Sequence, residues 1–169
     1  ARVAASHYSV LVDGVSQMFV AGPPVVKRIG QDLTKEELGG AKLHAKIGAV
    51  DDLAASEEEA FEMTRRFLSY LPQNAGEAPP VIPCDDPADR RDDALLDLVP
   101  ADSRKVYNMK KVINTIADKG SVFELKPGYA RNMITAFARL GGRPVGIFAN
   151  QPLRKGGILD ASACEKAAH

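Results

Sequence analysis

The chain has 169 residues, 45% of them hydrophobic and 26% charged, the makeup of an ordinary globular protein and short for two full domains. Lys plus Arg equals Asp plus Glu at 22 each, so no excess charge points to nucleic acid or to an anionic membrane. No apolar run approaches the roughly 20 residues that a membrane-spanning helix requires.

The first residues, ARVAASHYSV, show no basic stretch ahead of an apolar core and so do not read as a secretory signal. The missing initiator Met raises the expectation of further chain upstream. Tyr8 to Val12 is a β-branched run closed by Asp13-Gly14, read as a buried strand and a turn. After the apolar run SQMFVAG, Pro23 and Pro24 precede Val25, Val26 and Ile29, which suits a helix with proline in its first turn. Thr34 and Glu37 have the spacing of a capping box, and Gly39-Gly40 occupy the place of a left-handed C-terminal cap. Ser56 and Glu59 repeat the capping box ahead of a helix over about 56–71, whose apolar face is Ala60, Met63, Phe67, Leu68 and Leu71.

From Pro72 to Lys105 the composition changes, with six of the 11 prolines and a dense set of aspartates. That segment reads as a linker running over a surface. Beyond it Met109, Val112, Ile113 and Ile116 recur at helical spacing, giving a helix over about 108–118. SVFELKP, MITAFARL and RPVGIFAN read as strands, the last two joined in a tight hairpin by Gly141-Gly142. GILD reads as a last short strand and ASACEKAAH as the start of a helix.

Motif chemistry yields little. His7, His44 and His169 are the histidines, without HExxH or close His/carboxylate spacing, and His44 with Asp51 and Asp52 suits a capping role better than a metal site. There is no GxSxG elbow, and Cys164 among alanines reads as a small buried residue. Neither GxGxxG nor GxxxxGK[ST] occurs, and a glycine pair that ends a helix has the wrong polarity to hold an anion. Lys27, Arg28, Arg131 and Arg143 read as solvated flanks.

Five blocks in order, SQMFVAGPPVVK, EELGGAKLH, FLSYLPQN, ELKPGYARNMITAFARLGGRPVGIFANQP and GGILDASACEKAA, resemble the carboxyltransferase (β) subunits of biotin-dependent acyl-CoA carboxylases, of the propionyl-CoA carboxylase type. The resemblance runs through essentially the whole chain. It implies an α/β fold of the crotonase-like (ClpP/crotonase) β/α superhelix, with parts of two tandem domains. Residues 1–71 would be the C-terminal part of the first domain, 72–105 the Pro/Asp-rich linker and 106–169 the N-terminal part of the second, so the chain would be the middle third of a longer subunit.

The implied reaction moves a carboxyl group from carboxybiotin to the α carbon of an acyl-CoA. In this family the developing oxyanions are met by pairs of backbone N–H groups in glycine-rich loops rather than by side-chain acids or bases. Both loops are expected outside these residues, which leaves no catalytic side chain to nominate. Gly39, Gly40, Ala41 and His44 match the family's GGAxxH block bordering the active-site cleft, and Asn150, Gln151 and Pro152 match its ANQP block near biotin. Ile47-Gly48 stands where the family has a Ser-Gly pair, and Arg154 and Lys155 replace a more neutral loop. The resemblance further implies biotin and acyl-CoA without a metal, a biotin carboxylase/biotin carboxyl carrier (α) subunit as partner, a homo-oligomer of hexamer type, and a cytoplasmic or mitochondrial-matrix setting. Alternatives are a biotin-dependent decarboxylase α subunit of the methylmalonyl-CoA type, and a catalytically silent acyl-CoA-binding or assembly module.

Overall fold

The computed structural model describes residues 2–3, 5–87 and 89–169. The chain divides into two compact units, residues 1–65 and 66–169.

In the first unit, β1 (Val10–Val12) and β2 (Asp52–Ala54) pair in parallel, with Val10 opposite Asp52 and Val12 opposite Ala54. Parallel neighbours need a long connection between them. Here it contains three short helices: α1 (Pro23–Lys27), α2 (Lys35–Gly39) and α3 (Ala41–Ile47). Pro23 and Pro24 occupy the first turn of α1, where a missing N–H costs nothing. Thr34 and Glu37 form the expected reciprocal capping box on α2. Leu11, Ala41 and Val50 make the buried core, with Met18, Ala45 and Leu53 packed against it. The buried carboxylate of Asp51 accepts from the Ser9 amide and hydroxyl, both at 2.8 Å, and Asp52 accepts from the Tyr8 phenol at 2.9 Å. Burial, and then the adjoining Asp52 and Asp51 carboxylates, push the Tyr8 phenol above its ordinary pKa.

The glycine pair differs from its reading as a left-handed cap. Gly40 is extended (φ −67°, ψ 159°) and serves at once as the C-cap of α2 and the N-cap of α3. The left-handed cap falls later, at Gly48 (φ 76°), which ends α3.

Helix α4 (Glu57–Leu68) starts with Ser56 accepting from the Glu59 amide, while the Glu59 carboxylate reaches the Ala55 amide. Leu68 is exposed rather than on the buried face.

The second unit is built on an antiparallel sheet, β3 (Phe123–Leu125), β4 (Met133–Leu140) and β5 (Arg143–Asn150), in that order. Central β4 is buried along most of its length, which is why MITAFARL lacks the polar alternation of a one-sided strand. On one face Ile134 and Ala136 pack with Ile113 of α6 (Met109–Ile116). On the other, Phe137 meets Phe67 edge-on at 5.9 Å and Tyr70 face-on at 5.6 Å. The hairpin turn places Gly141 (φ 57°) and Gly142 (φ 77°) both in the left-handed region, the two-residue geometry that matches strand twist.

Arg139 pins this turn from inside. The residue is 4% exposed, and its guanidinium donates to the carbonyls of Pro80, Gly142 and Ser69 at 2.9, 3.0 and 2.6 Å and lies 4.9 Å over the Tyr70 ring. The Pro/Asp-rich segment is therefore tied to the sheet. Ile82 donates to Gly142, Arg90 donates to the Ile116 and Ala117 carbonyls, and the segment carries its own short helix, α5 (Ala94–Leu98).

Two readings of the C-terminal end are corrected. GILD forms no strand: Lys155–Gly157 is a 3-10 turn with Gly156 and Gly157 left-handed, which carries Ile158 away from any ladder. Cys164 is exposed, because α7 (Ala161–Ala168) turns Ala163 and Lys166 inward instead. The Lys166 ammonium donates to the Tyr129 and Met133 carbonyls, which compensates its burial. Asp160 caps α7, and its carboxyl is held down to about 2, first by the Lys155 ammonium and then by the Ala163 and Asn132 amides. Among the described residues, no helix is long and apolar enough to cross a membrane.

The Asp118 carboxylate accepts from both turn amides, Gly141 at 2.8 Å and Gly142 at 2.7 Å. Burial acts to raise its pKa, but these two amides, the Cys84 thiol and Arg90 hold it below the usual carboxylate range. An acid depressed in the folded state adds stability that is complete above its unfolded value of about 3.9 and is lost as pH falls through the folded value. Urea midpoints at pH 5 and pH 3 should therefore drop less on acidification in Asp118→Asn than in the parent, and equal drops would remove Asp118 from the acid limb.

Candidate functional site

The GGAxxH block is a clip for the segment before α1. Gln17 bridges Gly40 in antiparallel fashion, and the Met18 amide donates to the Gly39 carbonyl at 2.8 Å. One helical turn beyond Gly40, His44 Nε2 bonds the Met18 carbonyl. A carbonyl can only accept, so Nε2 carries the hydrogen. The buried Nδ1 has no hydrogen-bond partner among the described residues.

Met18 is thus held at both its backbone polar groups, and the spacing of the block follows from this. A Cβ on Gly39 would come within 2.3 Å of the Met18 carbonyl oxygen, and one on Gly40 within 2.7 Å of the Glu36 carbonyl oxygen. Ala41 is fully buried in the first core. His44 does not join Asp51 and Asp52, whose oxygens serve Ser9 and Tyr8. Among the described residues no group of three or more His, Cys, Asp or Glu is placed to hold a metal ion.

The ANQP block closes β5. Gln151, 4% exposed, works as a junction. Its Nε2 donates to Asn108 Oδ1 at 2.8 Å, its Oε1 accepts the Met109 amide at 3.1 Å, and its own amide donates to the Asn132 carbonyl at 2.8 Å. One residue therefore joins the start of α6 through its side chain and the entry to β4 through its backbone, at the end of β5. Asn150 Nδ2 donates to the Gly157 carbonyl, and Pro152 is half-buried against Gly157. One N–H of each side-chain amide is thus committed to a protein partner, which fixes the orientation of Asn150 and Gln151 at the end of β5.

The partners that make both blocks rigid, Met18, Asn108 and Asn132, escape a reading of sequence because the contacts are non-local. Asn108, ahead of an apolar helical run, carries the one local signal, that of an N-cap, and its Oδ1 does accept from the Lys110 amide at 3.1 Å.

A sequence profile of the family described as carboxyl transferase domain matches residues 2–169. The chain is 43% identical over 168 residues to the propionyl-CoA carboxylase carboxyltransferase subunit of Haloferax mediterranei, covering 98% of this chain and 32% of that one. It is 40% identical over 166 residues to methylmalonyl-CoA decarboxylase subunit alpha of Veillonella parvula, covering 97% and 33%. A crystal structure of transcarboxylase 12S, described as a hexamer with hydrolysed methylmalonyl-CoA bound, superposes with a TM-score of 0.91 at 40% identity, over 98% of this chain and 33% of that one. The chain belongs to the carboxyl transferase domain family, with its mixed α/β, crotonase-like fold. It spans about a third of the length of these relatives.

The clip predicts a specific asymmetry. Gly39→Ala forces two backbones apart and should cost about 3 kcal/mol, whereas His44→Ala loses one hydrogen bond and should cost about 1 kcal/mol. Urea unfolding of the two variants measures both, and equal small effects would mean that the Met18 segment is not held here.

Proposed function

We propose that the protein transfers a carboxyl group from carboxybiotin, delivered on a partner's carrier domain, to the α carbon of an acyl-CoA of the propionyl- or acetyl-CoA type. The observation that carries this reading is the unbroken similarity, 43% identity across 98% of the chain, to a propionyl-CoA carboxylase carboxyltransferase subunit. On this reading residues 1–71 belong to a first crotonase-like domain and 106–169 to a second, joined by 72–105. Gly39, Gly40, Ala41 and His44 border the acyl-CoA cleft, and Asn150, Gln151 and Pro152 stand on the biotin side. Their role is to hold loops in place so that backbone amides can meet a developing oxyanion, chemistry that needs no triad or carboxylate pair. The partner is a biotin carboxylase/biotin carboxyl carrier subunit, and the enzyme works as a hexamer of its own kind.

The decarboxylase alternative is favoured by the 40% identity to methylmalonyl-CoA decarboxylase subunit alpha. Partner identity separates the two: a biotin carboxylase subunit for the first, a membrane pump for the second.

The test is consumption of methylmalonyl-CoA or malonyl-CoA by the intact purified polypeptide with biotin as acceptor. Loss of the free carboxylate thioester that depends on biotin supports the proposal. Saturable acyl-CoA binding without any biotin-dependent loss overturns it and leaves a binding module.

A further inference from the structure

Arg154 departs from the family pattern and Arg131 reads in sequence as a solvated strand flank, yet the fold brings both to one place. They line a cavity of about 200 Å³ with Lys110, Asn108, Gln151 and Leu153. The three cations come from three separate elements: the first turn of α6, the turn before β4, and the turn after β5.

Each of these elements is anchored to Gln151. The Asn108 and Met109 contacts fix Lys110, the Gln151-to-Asn132 backbone bond fixes the residue next to Arg131, and the Arg154 amide donates to the Gln151 carbonyl at 2.9 Å. The wiring around Gln151 thus places the three backbone positions side by side.

The nearby acids are already used. Glu124 pairs with Lys110 at 2.6 Å, and Asp160 is taken by Lys155, the Ala163 amide and Asn132. Neither guanidinium makes an ion pair or side-chain hydrogen bond among the described residues. Lys110 is offset by Glu124, so the uncompensated positive charge at the cavity comes from Arg131 and Arg154. An anion in the cavity would balance it.

We propose that Lys110, Arg131 and Arg154 form a binding site for a phosphoryl group. The cavity lies below the ~300 Å³ of ordinary small-molecule pockets, so it takes one compact oxyanion and not a whole nucleotide. Three cations carried by three separate elements suit the three outer oxygens of a phosphoryl group better than the two of a carboxylate, and guanidinium forks bind such oxygens in pairs. The α6 amides at the cavity are committed, Met109 to Gln151 and Lys110 to Asn108, so the ligand is met by side chains, with the positive end of the helix behind them. Two sources offer this chemistry: free phosphate, and the phosphates of the CoA moiety.

The site stands apart from the carboxyltransfer reading, because its test requires no turnover. Calorimetric titration of the intact protein with inorganic phosphate at low salt should give saturable binding. Arg131→Gln/Arg154→Gln should weaken it at least tenfold, while Arg104→Gln, an exposed arginine paired with Asp102 on the 72–105 segment, should leave it unchanged. Thermal unfolding of the double variant at the parent's temperature shows that the fold is intact. Release of bound phosphate by CoA but not by dephospho-CoA assigns the site to the thioester's 3′-phosphate, and release by neither assigns it to free phosphate; both leave the oxyanion site standing. Non-saturating binding, or equal weakening in Arg104→Gln, overturns the proposal.

Discussion

Backbone meeting backbone more closely than any side chain allows is the constraint from which both units are built. In the first unit it occurs at Gly39, where the Met18 peptide lies in the space a Cβ would fill. In the second it occurs at Gly142, where a Cβ would enter the Ile82 carbonyl. Each contact ties down a stretch that has no ladder of its own: the loop before α1 in one case, the Pro/Asp-rich segment in the other. Glycine's conformational cost is accepted at both places because the alternative is to lose the attachment.

Around these contacts the buried polar groups are individually wired. Arg139 answers three carbonyls, Gln151 joins three elements, and Lys166 is held by two carbonyls. A buried amide or cation with its partners in place permits few alternative arrangements, since each alternative leaves a desolvated group unpaired. Such rigidity suits the proposed reaction, in which backbone N–H groups would meet the developing charge. Amides aimed at a developing charge are effective only if the loops presenting them do not have to reorganise.

Local chemistry was legible where it sufficed. The Thr34/Glu37 capping box, the prolines opening α1, the Met109–Ile116 helix and the Gly141-Gly142 hairpin are all decided within a few residues. The misreadings came where local signals were ambiguous. Gly39-Gly40 looks like a helix stop in one dimension, but it is a seam between two helices whose glycines face Met18 and Gln17, more than 20 positions earlier. Cys164 looks buried among alanines, yet the phase of α7 is set by the Asp160 cap and by carbonyls that draw Lys166 inward. GILD has strand-like residues, but two left-handed glycines ahead of it turn the chain away.

While α3, β2 and α5 carried no local signal, the sequence by itself determined the helices α1, α2, α4 and α6, the β4–β5 hairpin and, through five ordered blocks, the family. These depend on residue type and short spacing, and they survive any error about what touches what. Only the tertiary structure decided that His44 is a clip and not a ligand, that Gln151 is a junction, and that Arg131 shares a cavity with Lys110 and Arg154. The physical reason is the same in each case. A side chain's role is set by the partner that satisfies it or leaves it unsatisfied, and for these residues that partner lies tens of residues away along the chain.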